Sequence, residues 1–476
     1  MHMILRALSV SAVALTVLLP AATRAGNISV SEFDAMQSGR AYAASALSNS
    51  ASVVFYNVGN ISRMDGLQLN LGAAAFMPKW KWESLDGTKS ESTETTVAPP
   101  PSFSLTYKVA SGSLGDLGVG FGLYAPYGTE FKWPAEWEGR QDVQHITLRV
   151  YEARPALSWK PMEKVSLGAG LRVLYGEVYL KQAVAFGDQQ EGFAEMGGDG
   201  VAYGAVAGVT VLPVDGLAVA LNWMAPSTMK MTGTSHFEFP APFDTEARDR
   251  DVETKLKLAQ LIRLGLAYDV IPKKLNISAD AEYQLWSTYK ELTVSFINAD
   301  GTRDDQSQRR DAKNSWLLSV GGEYWVNDAF AVRAGYAYDQ KVLPEDTVNP
   351  APPNSDQHIV AVGASYVFGR YGVHANLENV FFAPREARTN EFPGKFSGGW
   401  AGSTVAYIFG LSFSAAFDVG PLVGEAPHKG CACKHGASDV PTAVEPAPEV
   451  VPAVEPAPAV ESAPAPATEA APGQQS

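Results

Sequence analysis

Leu275-Asn276-Ile277-Ser278-Ala279-Asp280-Ala281-Glu282-Tyr283-Gln284-Leu285 decides the fold of this chain. Odd positions carry Leu, Ile, Ala, Ala, Tyr and Leu, and even positions carry Asn, Ser, Asp, Glu and Gln. A period of two gathers each set on its own face of a strand. Trp316, Leu318, Val320, Gly322, Tyr324 and Val326 repeat the pattern, as do Val405, Tyr407, Phe409, Leu411, Phe413, Ala415 and Phe417. Such runs exceed the roughly 5 to 6 residues usual for a strand of a soluble sandwich. They suit strands that cross an outer membrane and project above it.

Working outward, fourteen alternating segments centre near 66–80, 100–110, 116–127, 143–159, 164–181, 201–213, 216–230, 254–269, 274–292, 312–326, 329–340, 357–368, 371–383 and 402–417. Short turns such as Lys160–Glu163, Val270–Lys273 and Gly369–Arg370 separate them at every second connection. Long polar loops occupy the others, near 81–99, 128–142, 182–200, 231–253, 293–311, 341–356 and 384–401. Short periplasmic turns, longer external loops and an even strand number are the pattern of a closed outer-membrane barrel. The predicted fold is therefore all-β: a transmembrane antiparallel β-barrel of about fourteen strands over 66–417.

Composition agrees with this reading. Of 476 residues 46% are hydrophobic and 18% charged, and 37 basic against 51 acidic residues give a net charge of −14. With no Lys/Arg cluster, nucleic acid is excluded as the main partner. The expected surroundings are outer-membrane lipid and lipopolysaccharide. Residues 1–25 read as a signal peptide: Arg6 precedes the apolar run Ala7 to Leu19, and Thr23-Arg24-Ala25 offers small residues for cleavage. No later apolar run is long enough to span a bilayer as a helix, so a crossing must be made by strands.

Two segments lie outside the barrel. Residues 26–65 lack strand alternation and begin on the periplasmic side, so they are expected to fold into the lumen as a plug; a disordered leader is the alternative. Residues 418–476 become rich in Pro, Ala and Glu and suit an extended periplasmic tail that contacts cell wall or a periplasmic partner, or none. Cys431 and Cys433, with His428 and His435 nearby, lack the usual zinc spacing, so no metal or other cofactor is assigned. The seven histidines show no pairing with a hydroxyl nucleophile, and no enzyme is expected.

Binding candidates follow from residue chemistry. Gly118, Gly120 and Gly122 leave one face of the third strand bare beside Pro126. Glycine within a strand marks a bend or close backbone approach, so the strip is either a gap in the wall or room for the plug. Phe237, Phe239 and Phe243 form an apolar cluster in an acidic loop, a capture site or simple loop packing. Trp133 and Trp137 either join it or anchor the membrane interface. Arg154 and Arg172 would either meet a carboxylate head group in the lumen or sit in interior ion pairs.

Gly26–Met64 also resembles the N-terminal hatch of the FadL/TodX outer-membrane transporters of hydrophobic compounds. The carriers are Glu32-Phe33, Ser38-Gly39-Arg40-Ala41-Tyr42 and Val53-Val54-Phe55-Tyr56-Asn57. Gly120-Phe121-Gly122-Leu123-Tyr124-Ala125-Pro126-Tyr127-Gly128, Arg154-Pro155-Ala156-Leu157, Ser166–Leu171, Val362–Tyr366 and Ile408–Phe413 extend the similarity, in order, to 417. The resemblance implies passive uptake with release through the barrel wall at strand three, triggered by hatch movement. It makes Glu32, Phe33, Gly39, Arg40, Phe55 and Asn57 gating candidates. Long-chain fatty acids are the first expected cargo; the alternatives are aromatic hydrocarbons or a structural envelope barrel. The family's Asn-Pro-Ala is replaced by Asn57-Val58-Gly59, and a tail follows Phe417.

Overall fold

A computed structural model describes residues 29–96, 100–186, 190–241, 249–348, 350, 354–387, 394–398 and 405–424. The signal segment, Phe243, both cysteines and the tail beyond 424 lie outside the described residues.

Fourteen antiparallel strands close on themselves: β1 (Leu67–Met77), β2 (Pro101–Ser111), β3 (Asp116–Lys132), β4 (His145–Met162), β5 (Val165–Phe186), β6 (Gln190–Val214), β7 (Leu217–Met224 continued by Ser227–Glu238), β8 (Arg250–Leu258 continued by Gln260–Ile271), β9 (Leu275–Leu285 continued by Glu291–Ile297), β10 (Arg303–Arg309 continued by Ser315–Trp325), β11 (Phe330–Asp339), β12 (Gln357–Phe368), β13 (Tyr371–Phe382) and β14 (Val405–Phe417). Closure is made by β1 and β14, with Leu67 opposite Phe417 and Met77 opposite Tyr407. A closed ring leaves no open sheet edge at membrane depth, where unpaired backbone groups would find no water. After β14 the chain runs beside β2, with Val423 opposite Ala110 in parallel.

The two parities separate as expected. Leu264, Leu266, Tyr268, Leu318, Val320, Phe409 and Leu411 are exposed on the outer wall, while Asn276, Ser278, Asp280, Glu282 and Gln284 are buried inside. So broad an apolar belt is stable only against lipid. Tyr366, Phe368, Tyr371, Phe413 and Phe417 make ring contacts beside the turn that joins β12 to β13.

The strands are longer than the sequence pattern indicates. Much of 182–200, 231–253 and 293–311, read as loop, is paired strand: β5 and β6 stay in register up to Phe186 opposite Gln190. The physical reason is a reversal of facing. On β7, Leu221 and Trp223 face out, but beyond Pro226 it is Lys230 and Thr232 that face out while Met229 and Met231 are buried. Outside the lipid the outer wall is polar, so the apolar-outward signal ends although the backbone ladder continues. Parts of two other predicted loops, Trp80–Glu83, Ser90–Ser92, Arg385–Ala387 and Gly394–Gly398, form a separate four-stranded sheet.

Residues 29–65 fill the lumen, and nearly all are buried. Two short helices, α1 (Ala35–Ser38) and α2 (Val53–Tyr56), precede a 3-10 turn at Val58–Arg63. Asp34 caps α1 by accepting from Met36 N, and Asn57 caps the 3-10 turn by accepting from Gly59 N. The polar parity of the opening segment serves this plug directly. Asn276 accepts from Arg40, Ser278 donates to Ala43 O, and Asp280 accepts from Ala44 N and Ser45 N.

Candidate functional site

The upper lumen holds an apolar cavity of about 200 Å³ between the inner faces of β4 to β9 and the segment around Leu343. None of its lining residues belongs to the plug. Ile146, Leu148, Val178, Met231, Leu256 and Leu292 supply its apolar surface. A dry engineered cavity of about 150 Å³ admits benzene, so this space can hold a ring or part of an alkyl chain.

A buried cation interrupts the apolar lining. Arg310 is buried and borders the cavity, and its guanidinium meets no acceptor among the described residues. Its backbone is fixed, since Arg310 N donates to Lys290 O at 2.7 Å and Thr347 Oγ1 donates to Arg310 O at 2.8 Å. It sits where the pairing of β9 with β10 lapses, between Glu291 opposite Arg309 and Gln284 opposite Ser315. The left-handed backbone of Asp311, with φ 45°, turns the chain there. Lys257 and Glu253 also border the cavity, but Glu253 is held by Arg303 at 2.9 Å. A buried guanidinium without a counter-ion, in an apolar wall, is suited to a carboxylate.

A second, smaller cavity of about 50 Å³ lies where the plug begins, bordered by Val30, Pro126, Tyr127, Arg154 and Asn222. Here β3 is irregular. Its register with β4 shifts between Tyr124 and Tyr127, which makes a bulge at Ala125 and Pro126. Pairing of β2 with β3 reaches no further than Phe103 opposite Leu123. Beyond that point the plug's first residues lie against β3: Ser29 bridges Tyr127, and Val30 N donates to Pro126 O at 2.8 Å.

The gating candidates are distributed through the plug and its seat. Glu32 accepts from Tyr42 OH at 2.7 Å, and Tyr42 OH also reaches Glu378 of β13. Phe33 and Phe55 are 4.4 Å apart and both pack on Tyr124. Gly39 lies against Gly363 of β12, where a Cβ would come within 3.1 Å of its Cα. Arg40 pairs with Glu323 at 2.7 Å, and Arg333 shares that carboxylate. Asn57 donates to Ser45 O and Thr210 Oγ1, both at 2.8 Å, so it ties the plug to β6. The glycine strip meets the plug: a Cβ on Gly118 would lie 2.9 Å from Ser62 Cα, and one on Gly120 would lie 2.8 Å from Ile61 and Val54 methyls. Gly122 is covered by the Tyr124 ring.

Arg154 and Arg172 are both in an ion-paired group, sharing Glu152 at 2.6 and 2.8 Å. Phe237 and Phe239 lie in and just beyond the end of β7, in ring contact with Phe296 and Phe186, and do not border the large cavity. Beside them His236 titrates above its ordinary range because it is hydrogen-bonded to the Asp249 carboxylate at 2.7 Å. Trp133 and Trp137 stack at 4.0 Å in the buried core of the four-stranded sheet, with Trp82 and Phe396, rather than at a lipid boundary. The absence of any hydroxyl beside a histidine is corrected: His374 lies between Ser365 Oγ, at 2.5 Å, and Ser414 Oγ, at 2.8 Å. The trio is buried, and neither cavity is bordered by it. The three residues stand on three neighbouring strands, β12, β13 and β14, so their spacing along the chain hides the contact.

Sequence reasoning missed the large cavity and Arg310. The available signal was the inward apolar set Met229, Met231, Leu256 and Leu258, whose facing is opposite to that of the belt.

Comparison with known proteins agrees with the geometry. A 183-residue segment is 21% identical to the long-chain fatty acid transport protein of Salmonella typhi, covering 38% of this chain and 40% of that protein. The chain thus spans well under half the length of that curated relative. The crystal structure of a Pseudomonas aeruginosa FadL homologue matches with TM-score 0.73 at 19% identity, covering 82% of this chain and 100% of that one. The Ralstonia pickettii toluene transporter TbuX matches with TM-score 0.63 at 13% identity, covering 81% and 98%. The model of the outer membrane protein transport protein family (OMPP1/FadL/TodX) matches residues 16–417. The chain belongs to that family, and its place is the bacterial outer membrane.

Proposed function

We propose that this barrel carries hydrophobic molecules passively across the outer membrane, and that its cargo is a long-chain carboxylic acid. The observation that carries the reading is the unpaired Arg310 guanidinium in the wall of an otherwise apolar cavity. An alkyl tail gains about 0.8 kcal/mol for each methylene it buries. The head group would supply the acceptor that Arg310 lacks, whereas an aromatic hydrocarbon would leave that charge buried and unpaired. The named relatives point both ways, one to long-chain fatty acid and one to toluene.

Release through the wall at β3 is part of the proposal. Support comes from the bulge at Ala125 and Pro126 and from the early end of the β2–β3 ladder. There the seam is covered by the start of the plug, so withdrawing Ser29 and Val30 would uncover it. The glycine strip contributes less than its sequence implies, because it is occupied by the plug. The exposed belt fits membrane lipid and lipopolysaccharide.

The test is Arg310→Met, which keeps length and removes charge. In proteoliposomes, oleate affinity should fall at least about tenfold, since losing one partner of a buried charged pair costs about 2–5 kcal/mol. Toluene flux should hold. Unchanged oleate affinity, or a wild-type protein that moves toluene and no oleate, overturns the reading.

A further inference from the structure

We infer that the barrel holds a second station for an anionic head group, made by Arg154, Tyr127 and Asn222 with Arg172 behind Tyr127, between the apolar cavity and the bulge in β3. It rests on the carboxylate reading and adds a step to it.

The first observation is charge. Glu152 is the single carboxylate paired with two buried guanidinium groups: Arg154 Nε at 2.6 Å, and Arg172 Nε and Nη2 at 2.9 and 2.8 Å. Arg154 Nη1 donates to Val54 O and Phe55 O. Arg154 Nη2 and Arg172 Nη1 are buried and have no acceptor among the described residues. Neighbouring acids are already engaged. Asp34 accepts from Met36 N and from the hydroxyls of Ser50, Ser52 and Ser412. Glu282 binds Arg263 and Gln284, and Asp280 takes the plug's N–H groups. Locally, then, two guanidinium groups share one carboxylate, with aromatic faces beside them: Phe55 and Tyr124 beside Arg154, and Tyr127 beside Arg172. Ring faces attract a cation far less than a carboxylate does.

The second observation is space. Arg40 and Arg333 share Glu323 in the same two-to-one ratio, but neither cavity touches them, so charge imbalance alone makes no site. Arg154 instead borders the cavity of about 50 Å³, and so does Asn222, whose Nδ2 is also buried without an acceptor. Tyr127 supplies a hydroxyl, which Arg172 Nη2 approaches at 3.3 Å. Three kinds of donor thus border a space that takes a head group and no tail, and the one carboxylate among its lining residues, Glu282, is already bound by Arg263.

The third observation is position. Tyr127 packs with Leu148, Met229, Met231 and Leu256, and Leu148, Met231 and Leu256 also border the large cavity. Tyr127, which borders the smaller cavity, thus stands between the two spaces. A head group leaving Arg310 and passing Tyr127 reaches Arg154 beside Pro126, where the plug covers the seam. The station offers the carboxylate a partner during passage, so its removal acts on rate more than on affinity.

The experiment uses the full chain in proteoliposomes, with oleate and oleyl alcohol as probes. Arg154→Gln removes one of the two guanidinium groups on Glu152; Asn222→Leu removes a donor and leaves the ion pairs intact. Both should bind oleate as wild type does, yet move oleate about tenfold more slowly while oleyl alcohol flux is unchanged. Heat-modifiable gel mobility confirms a folded barrel for each. Equal effects on acid and alcohol, or no effect on the acid in either variant, overturns the station while leaving Arg310 untouched. A wild-type protein that moves no oleate overturns both, and altered oleate affinity in Arg154→Gln places the head group here from the outset and removes the relay.

Discussion

Valine at position 120 would decide what the glycine strip of β3 is for. A Cβ built on Gly120 comes within 2.8 Å of both Ile61 Cδ1 and Val54 Cγ2. Carbon atoms settle at about 3.5–4.0 Å, so each neighbour would have to retreat by about 1 Å. Both are fully buried, Ile61 in the 3-10 turn and Val54 in α2. The turn cannot slide along β3, because Ser62 Cα already lies 2.9 Å from where a Gly118 Cβ would be. Overpacking of this kind costs about 1–3 kcal/mol, and here it is borne by the plug rather than by the strand ladder. Gly120→Val should therefore lower the urea midpoint of the micelle-bound barrel and raise its conductance to small ions in planar bilayers. Ile61→Ala alone opens a void and destabilises by about 2–5 kcal/mol. Combined, the valine methyls enter that void, and the pair should recover about 1–3 kcal/mol relative to the sum. Additivity to within about 0.5 kcal/mol, with conductance unchanged, would refute the account and return the strip to being an opening in the wall.

Other consequences follow from the same packing. Met231→Trp fills part of the apolar cavity and should weaken oleate binding about tenfold, measured by calorimetry, with the barrel's thermal stability preserved. Equal affinity would mean that the tail lies elsewhere. Asp34 gathers Met36 N and three serine hydroxyls at 2.6–3.0 Å, joining α1, the segment before α2 and β14. Asp34→Ala should cost the plug at least about 3 kcal/mol and expose residues 29–65 to protease before the barrel unfolds. Cleavage at wild-type rates would show that other contacts hold it.

Strand number, closure and the plug's place were legible because lipid imposes one rule on every outward position. Leu275 to Leu285 obeys it residue by residue, and its inward carboxylate and amide groups turn out to bind the plug's backbone. Arg154 and Arg172 were legible as residue types, but their shared partner Glu152 was not singled out. Arg310 was hidden for a different reason. It stands in the polar run Gln308-Arg309-Arg310-Asp311, where composition cannot tell which side chain turns inward; that depends on the lapse of pairing and the left-handed Asp311. Phe237 and Phe239 misled in the opposite sense, since aromatic residues at the end of a long hairpin have each other and Phe296 to pack against.

The cavity shows where period-two reading runs out and how it can be extended. On β7 the outward set changes from Leu221 and Trp223 to Lys230 and Thr232, and on β8 from Leu264 and Ile262 to Lys257 and Lys255. These changes occur at one level of the wall: Met224 pairs with Leu261 just below, and Ser227 with Leu258 just above. A reversal shared by paired neighbours is not a local accident of one strand. It marks where lipid ends, and because the apolar parity then faces in, it also marks where an apolar cavity begins. The upper edge of the belt and the floor of the binding space are thus one boundary, written twice in the sequence at Ala225-Pro226 and at Ala259. Continuing the belt's parity past it, as Lys255→Leu, Leu256→Lys, Lys257→Leu and Leu258→Lys together would, turns lysines inward at positions 256 and 258. That variant should insert as a closed barrel yet bind no oleate; retained binding would show that the reversal does not build the cavity.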